Sequence, residues 1–151
     1  MSERITREQA RHVSDAAHHK AGELGVAVSI AICDPAGRTV FVERGDDTGF
    51  ITPDTALAKA RAAAAFGKST RELVELSGNN PAFWQALPGA INEPVIPSSG
   101  ATPIVLRNVT IGAIGCAGGS GDQDHNIALA GAFAIKPGQR GQTQNKYNND
   151  I

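Results

Sequence analysis

Four residues offer candidate chemistry: Arg44, Lys59, Asp124 and His125. Asp124 and His125 follow the stretch Ala117-Gly118-Gly119-Ser120-Gly121-Asp122, which reads as a glycine loop entering a helix. Backbone amides of such a loop, at a helix N-terminus, can cradle a carboxylate or phosphate. The loop is no P-loop, because no Gly-Lys-Ser/Thr follows at the required spacing. Asp124 suits the positive end of the helix dipole, and His125 there has its cationic form disfavoured. A neutral imidazole can act as base, hydrogen-bond partner or metal ligand. The two residues point about 100° apart on a helix, so they do not face one site squarely.

Lys59 lies on a stripe of alanines, where it either snorkels to a rim or pairs with an acid, including a ligand carboxylate. Arg44 ends a strand and is a similar candidate, with a bridge to Asp46 or Asp47 as its plainer role. Phe66 and Trp84 are large groups near loops that can wall a ligand site or simply pack. Of His12, His18 and His19 on the first helix, only His18 falls at the edge of the buried face, which makes it the candidate metal ligand there. Cys33 and Cys116 sit in apolar runs without CxxC spacing and read as small core residues. The expectation tying these together is that the amides of Gly118, Gly119, Ser120 and Gly121 converge with Lys59 or Arg44 on one cavity.

The elements that must position these groups follow from periodicity. Thr6 and Gln9 form a capping-box signature, Ala10, Val13, Ala17, Ala21 and Leu24 share a face, and Gly25 closes the helix. Residues 26–33 are apolar almost throughout, as in a strand covered on both faces. Asp34-Pro35-Ala36-Gly37 is a turn into a second strand, residues 39–44, giving an antiparallel hairpin. Thr52 as cap and Pro53 at the first position open an alanine-rich helix to about Phe66. Ser69 or Thr70 caps a short helix, residues 71–77. Residues 78–89 read as irregular, and residues 92–103, with three prolines, as an edge or loop. Strands 104–106 and 109–116 flank a tight Arg107-Asn108 turn, and glycines inside the second mark close approach by a backbone or a ligand. The last helix is expected at about 123–135.

The 151-residue chain carries a formal net charge of −1, so no basic excess exists to neutralise phosphates, and nucleic acid is not an expected partner. No apolar run reaches the ~18–20 residues needed to span a bilayer, and the charged N-terminal stretch lacks an apolar signal core. A cytoplasmic location is the expectation. No Ser/His/Asp, Cys/His, HExxH or Rossmann pattern is present.

Two blocks carry a resemblance. One is Glu43-Arg44 followed by residues 54–70, ending AKARAAAAFGKST; the other spans Gly100 to Gly131 and holds IGAIGCAGG, then Gln123-Asp124 and Ala130-Gly131. Together they resemble the GlcG/HbpS haem-binding-like family (DUF336), which includes the C-terminal domain of PduO-type proteins. Its pattern is similar to IGAIGVSGG…QD…A…AG, and Cys116 and Ala117 depart from it mildly. The likeness covers about residues 6–136, so one domain is expected over 1–136 with a polar tail at 137–151. It implies an α+β, profilin-like fold: a five-stranded antiparallel sheet with helices on both faces in α/β/α layers. It also implies a homo-oligomer and haem as a possible cofactor. The glycine loop would suit a haem propionate or another organic acid, and His18 and His125 are the histidines placed to be tested as iron ligands.

Three functions follow. The first is a binding domain for haem or another flat acidic small molecule. The second is a cofactor-independent enzyme, of isomerase, lyase or hydrolase type, on a small organic acid or cyclic carbonyl compound, with Lys59 or Arg44 holding the anion and His125 or Asp124 moving a proton. The third is an accessory subunit without a ligand.

Overall fold

The computed structural model describes residues 3–137. The first helix, α1 (Arg7–Leu24), begins at Thr6, whose side chain accepts from the Gln9 amide while Gln9 reaches back to Thr6, and ends at Gly25 in the left-handed region. The chain needs four residues to leave that helix, since the Val26 amide still bonds the Ala21 carbonyl. Strand β1 is therefore Ser29–Cys33, shorter than the apolar run, and all five residues are buried. A turn held by Asp34 Oδ1, which accepts from the Ala36 and Arg38 amides, leads to β2 (Thr39–Glu43).

Helix α2 (Thr52–Phe66) has Ile51, not Thr52, at its N-cap. The Thr52 hydroxyl is occupied elsewhere: it donates to the Gly49 carbonyl and lies 2.8 Å from Ser29 Oγ. Helix α3 (Thr70–Asn79) is capped by Ser69, one of the two caps the sequence offers.

The stretch expected to be irregular contains a helix, α4 (Pro81–Ile91). Pro81 starts a helix rather than breaking one, because the missing amide hydrogen falls where no intrahelical partner exists. The Gly78-Asn79-Asn80 punctuation marks the joint between two helices, where the Asn80 amide bonds Ser77.

Strands β3 (Ala101–Leu106) and β4 (Val109–Ala117) form a hairpin through Arg107 and Asn108, both at positive φ (50° and 63°), as a type I′ turn requires. Helix α5 (Gly121–Ala132) follows, capped by Ser120 with Gln123 completing a capping box.

The described residues form a four-stranded antiparallel sheet in the order β2-β1-β4-β3, not the five strands implied by the resemblance. The α+β class and the three layers stand. Residues 92–100 do not add a strand: Pro94 and Pro97 lack donors, and the Ile96 amide bonds the Ala58 carbonyl of α2 instead. Pro103 is tolerated because β3 is an edge.

The sheet's two faces differ in residue size. Ile30, Ile32, Ile104, Ile111 and Ile114 pack with α1 and α5, each burial contributing about 1.5–3 kcal/mol. Ala31, Cys33, Ala101 and Ala113 meet Ala56, Ala60 and Ala63 of α2. Small side chains let α2 lie almost on the sheet. A Cβ on Gly115 would strike the Ala56 carbonyl, so the strand glycine there marks approach by a backbone, not by a ligand. Among the described residues no helix is long and apolar enough to cross a membrane.

Candidate functional site

Close approach of α2 carries Lys59 into the interior. Its ammonium donates to the Cys116 carbonyl at 3.1 Å and lies 3.4 Å from Asp124 Oδ2, and both side chains are buried. Asp124 Oδ1 accepts from the Gly119 amide at 2.9 Å and lies 3.6 Å from the Cys116 thiol. Gly100, at φ 132°, passes this pair; a Cβ there would come within 3.0 Å of the Cys116 carbonyl, Asp124 and Lys59 Nζ.

The glycine loop thus holds an anion that belongs to the chain itself. The Gly119 amide binds Asp124, the Ser120 amide binds Gln123, and the Gln123 amide binds Ser120. Burial, reinforced by the Asp124 carboxylate, pushes the Cys116 thiol well above its ordinary range. Burial likewise raises Cys33, to about 12. Both cysteines are free and packed, as expected of core residues.

His125, the next residue on α5, faces elsewhere. It is 7 % exposed, and its Nδ1 is buried without a hydrogen-bond partner. Its ring lines a groove of about 510 Å³ that runs beside β3. Lys68, Ser69, Glu72 and Thr102 supply the polar wall; Val105, Leu129 and Phe133 supply the apolar one. Phe133 is 70 % exposed, an unusual position for a phenyl ring, and Val105 is also exposed. Burial and the nearby Arg71 guanidinium lower the His125 pKa, with Asp122 opposing them, so the imidazole is neutral at neutral pH. Arg71 is itself held by Asp122 at 2.6 Å.

The other predicted residues are dispersed. Arg44 is exposed beyond the end of β2 and donates to the Thr48 carbonyl, so neither Asp46 nor Asp47 holds it and it does not join Lys59. His18 Nε2 lies 2.9 Å from Glu43 Oε1 on β2. With β2 and β3 at opposite edges of the sheet, His18 and His125 cannot serve one ligand. Phe66 and Trp84 do meet, with ring centroids 4.7 Å apart, and Phe83 completes an aromatic cluster. That cluster joins α2 to α4 and lines no part of the His125 groove. Among the described residues no three His, Cys, Asp or Glu side chains group to hold a metal ion.

Sequence reasoning missed the groove because its wall comes from three separated segments. It also missed the Ser120–Gln123 capping box, although the signal is the same kind as Thr6–Gln9. That box fixes where α5 starts, and so which of Asp124 and His125 points inward.

The model of the family described as haem degrading protein HbpS-like matches residues 5–132. An uncharacterised 15.0 kDa protein of Citrobacter freundii, from the dhaT-dhaS intergenic region, is 28 % identical over 124 residues, covering 82 % of this chain and 87 % of that protein. The crystal structure of a double mutant of Streptomyces reticuli HbpS is 32 % identical with a TM-score of 0.81, covering 89 % of each chain. The structure of PduOC in complex with haem is 26 % identical with a TM-score of 0.76, covering 87 % of this chain and 95 % of the other.

Proposed function

This chain belongs to the HbpS-like family, and on that premise we propose that it binds haem, or a similar flat ligand with an acidic edge, in the groove beside β3. One observation carries the reading: a buried, neutral histidine without a hydrogen-bond partner lines a hollow of ligand size. A buried polar nitrogen without a partner costs about 1–3 kcal/mol, which a folded chain tolerates where the group has another use. His125 is the one predicted iron ligand that lines this hollow; His18 sits at the other edge beside Glu43.

The donor set fits the group. His125 would hold the iron through its accessible nitrogen, neutral as coordination requires. Val105, Leu129 and Phe133 would cover a macrocycle face, and Lys68 would meet its carboxylates, Ser69 being engaged with Glu72 as the α3 cap. Haem bound there would supply iron redox chemistry. The protein's own contribution would be an apolar wall, a neutral imidazole and a cation for the acidic edge. The similarity to a domain solved with haem supports the same ligand class.

Hemin titration of the purified chain tests this. A stoichiometric, shifted Soret band is expected, lost in His125→Ala and retained in His18→Ala. A folded wild-type protein that leaves the hemin spectrum unchanged overturns the reading.

A further inference from the structure

A second hollow, sharing no residue with the His125 groove, lies between the β1–β2 turn, α2 and the segment after α4. It holds about 290 Å³ and is lined by Arg38 and Arg61 with the Glu93 carboxylate between them. Arg38 donates to Glu93 Oε1 at 2.8 Å, and Arg61 Nη2 lies 3.5 Å from Glu93 Oε2. Arg61 is largely buried, and its Nε donates to the Gly37 carbonyl at 3.0 Å. Two guanidinium groups therefore share one carboxylate. Among the described residues no acceptor pairs with Arg38 Nε or Nη2, or with Arg61 Nη1. Asp34, the other acid of the turn, spends Oδ1 on the Ala36 and Arg38 amides and does not line the hollow. The floor is apolar, from Ala65, Ile91 and Val95.

We propose that this hollow is a binding site for a small organic anion, a carboxylate or phosphate monoester with a compact apolar body, and that Glu93 fills its anion position when no ligand is present. The charge count supports this, since one carboxylate serves two guanidinium groups, of which Arg61 is largely buried and Arg38 stays open to an incoming anion. Arginine pairs of this kind grip planar oxyanions through two parallel donors. The apolar floor then takes the ligand's body and sets this site apart from a simple surface ion pair. Glu93 competes with the ligand rather than contacting it, so its removal and the removal of Arg38 have opposite effects.

The test is a backbone NMR titration of the full chain with benzoate and with phenyl phosphate, using benzyl alcohol as the uncharged control. Binding of either anion is expected to move the amides of residues 35–38 and 91–95, and benzyl alcohol is expected to move them far less. Glu93→Gln should tighten binding by about threefold or more, and Arg38→Gln, at an exposed position that leaves the fold intact, should weaken it similarly. Tightening by one anion only identifies which oxyanion the site takes. The proposal fails if neither anion shifts these amides, if benzyl alcohol binds as well, or if Glu93→Gln weakens binding as Arg38→Gln does. That last result would make the triad a latch holding the turn to residue 93.

Discussion

Asp124 and His125 are consecutive residues of α5, yet they lie in two regions built on opposite principles. Around Asp124 every polar group is answered: Lys59, the Gly119 amide and the Cys116 thiol surround one carboxylate, and the glycine loop closes on the chain's own side chain. Around His125 the accounting stays open, with a buried Nδ1 unpartnered and a groove alongside. A closed network of this kind specifies structure. An open one beside a hollow leaves the imidazole's other, accessible nitrogen free for a ligand. The glycine loop looks like a ligand cradle in sequence because the same amides serve an internal anion as well as an external one.

The sharpest way to break this contrast is to remove one partner of the closed pair. Lys59→Met leaves the Asp124 carboxylate buried without its cation and should cost about 3–5 kcal/mol in urea unfolding. Lys59→Met with Asp124→Leu should recover much of that loss, because no charge is then stranded. A single-mutant cost below about 1 kcal/mol would mean that the region is wet, and its supposed closure would be lost as an explanation.

Gly115→Ala probes the approach that delivers Lys59. The added methyl meets the Ala56 carbonyl and the Ala60 amide, both backbone and both unable to yield cheaply. A loss of about 1–3 kcal/mol is expected from pushing α2 off the sheet. Gly78→Ala, with open space around the position, gives the comparison; equal effects of the two substitutions would remove the packing argument.

Much of the frame was legible in the chain, and the reasons are local. Thr6, Gly25, the Arg107-Asn108 turn and the largely apolar run of β1 each announce themselves within a few residues. Pro81 did not, because a proline beside asparagines signals a break whether it ends one helix or starts another. The fifth strand came from likeness, and the prolines of residues 92–100 argued against it. For the candidate site, residue types were legible and their convergence was not. Arg44, Lys59 and His125 could be picked out by chemistry, but only strand order and helix phase decide that they lie in three places. Lys59 could be read as a rim lysine or a paired one; the choice required knowing that Asp124 arrives from the other side of β4.

His125→Leu is the counterpart of the Lys59 substitution, and its expected effect is smaller and opposite in sign. Replacing an unpartnered buried imidazole by an apolar side chain removes a desolvation cost, so stability should stay equal or rise by up to about 1 kcal/mol while hemin binding is lost. A loss above about 2 kcal/mol would show that the imidazole is structural, and the two regions would no longer differ in kind.

The finest measurement compares wild type with His125→Leu as pH falls. The folded state lowers the pKa of His125 below its ordinary 6.5, so it resists a proton that the unfolded chain accepts. Stability therefore rises with pH wherever the unfolded state binds more protons. The contribution is fully present above the unfolded value and is lost as pH drops through 6.5 towards the lower folded value. Urea midpoints taken at about pH 8 and about pH 5.5 should show wild type losing stability relative to His125→Leu over that interval, the variant lacking this one linkage. Bound hemin should steepen the loss, since an iron-bound imidazole cannot take the proton without leaving the metal. A difference between the two proteins that stays constant across the interval would place the imidazole in water, and the open region would then be an ordinary surface.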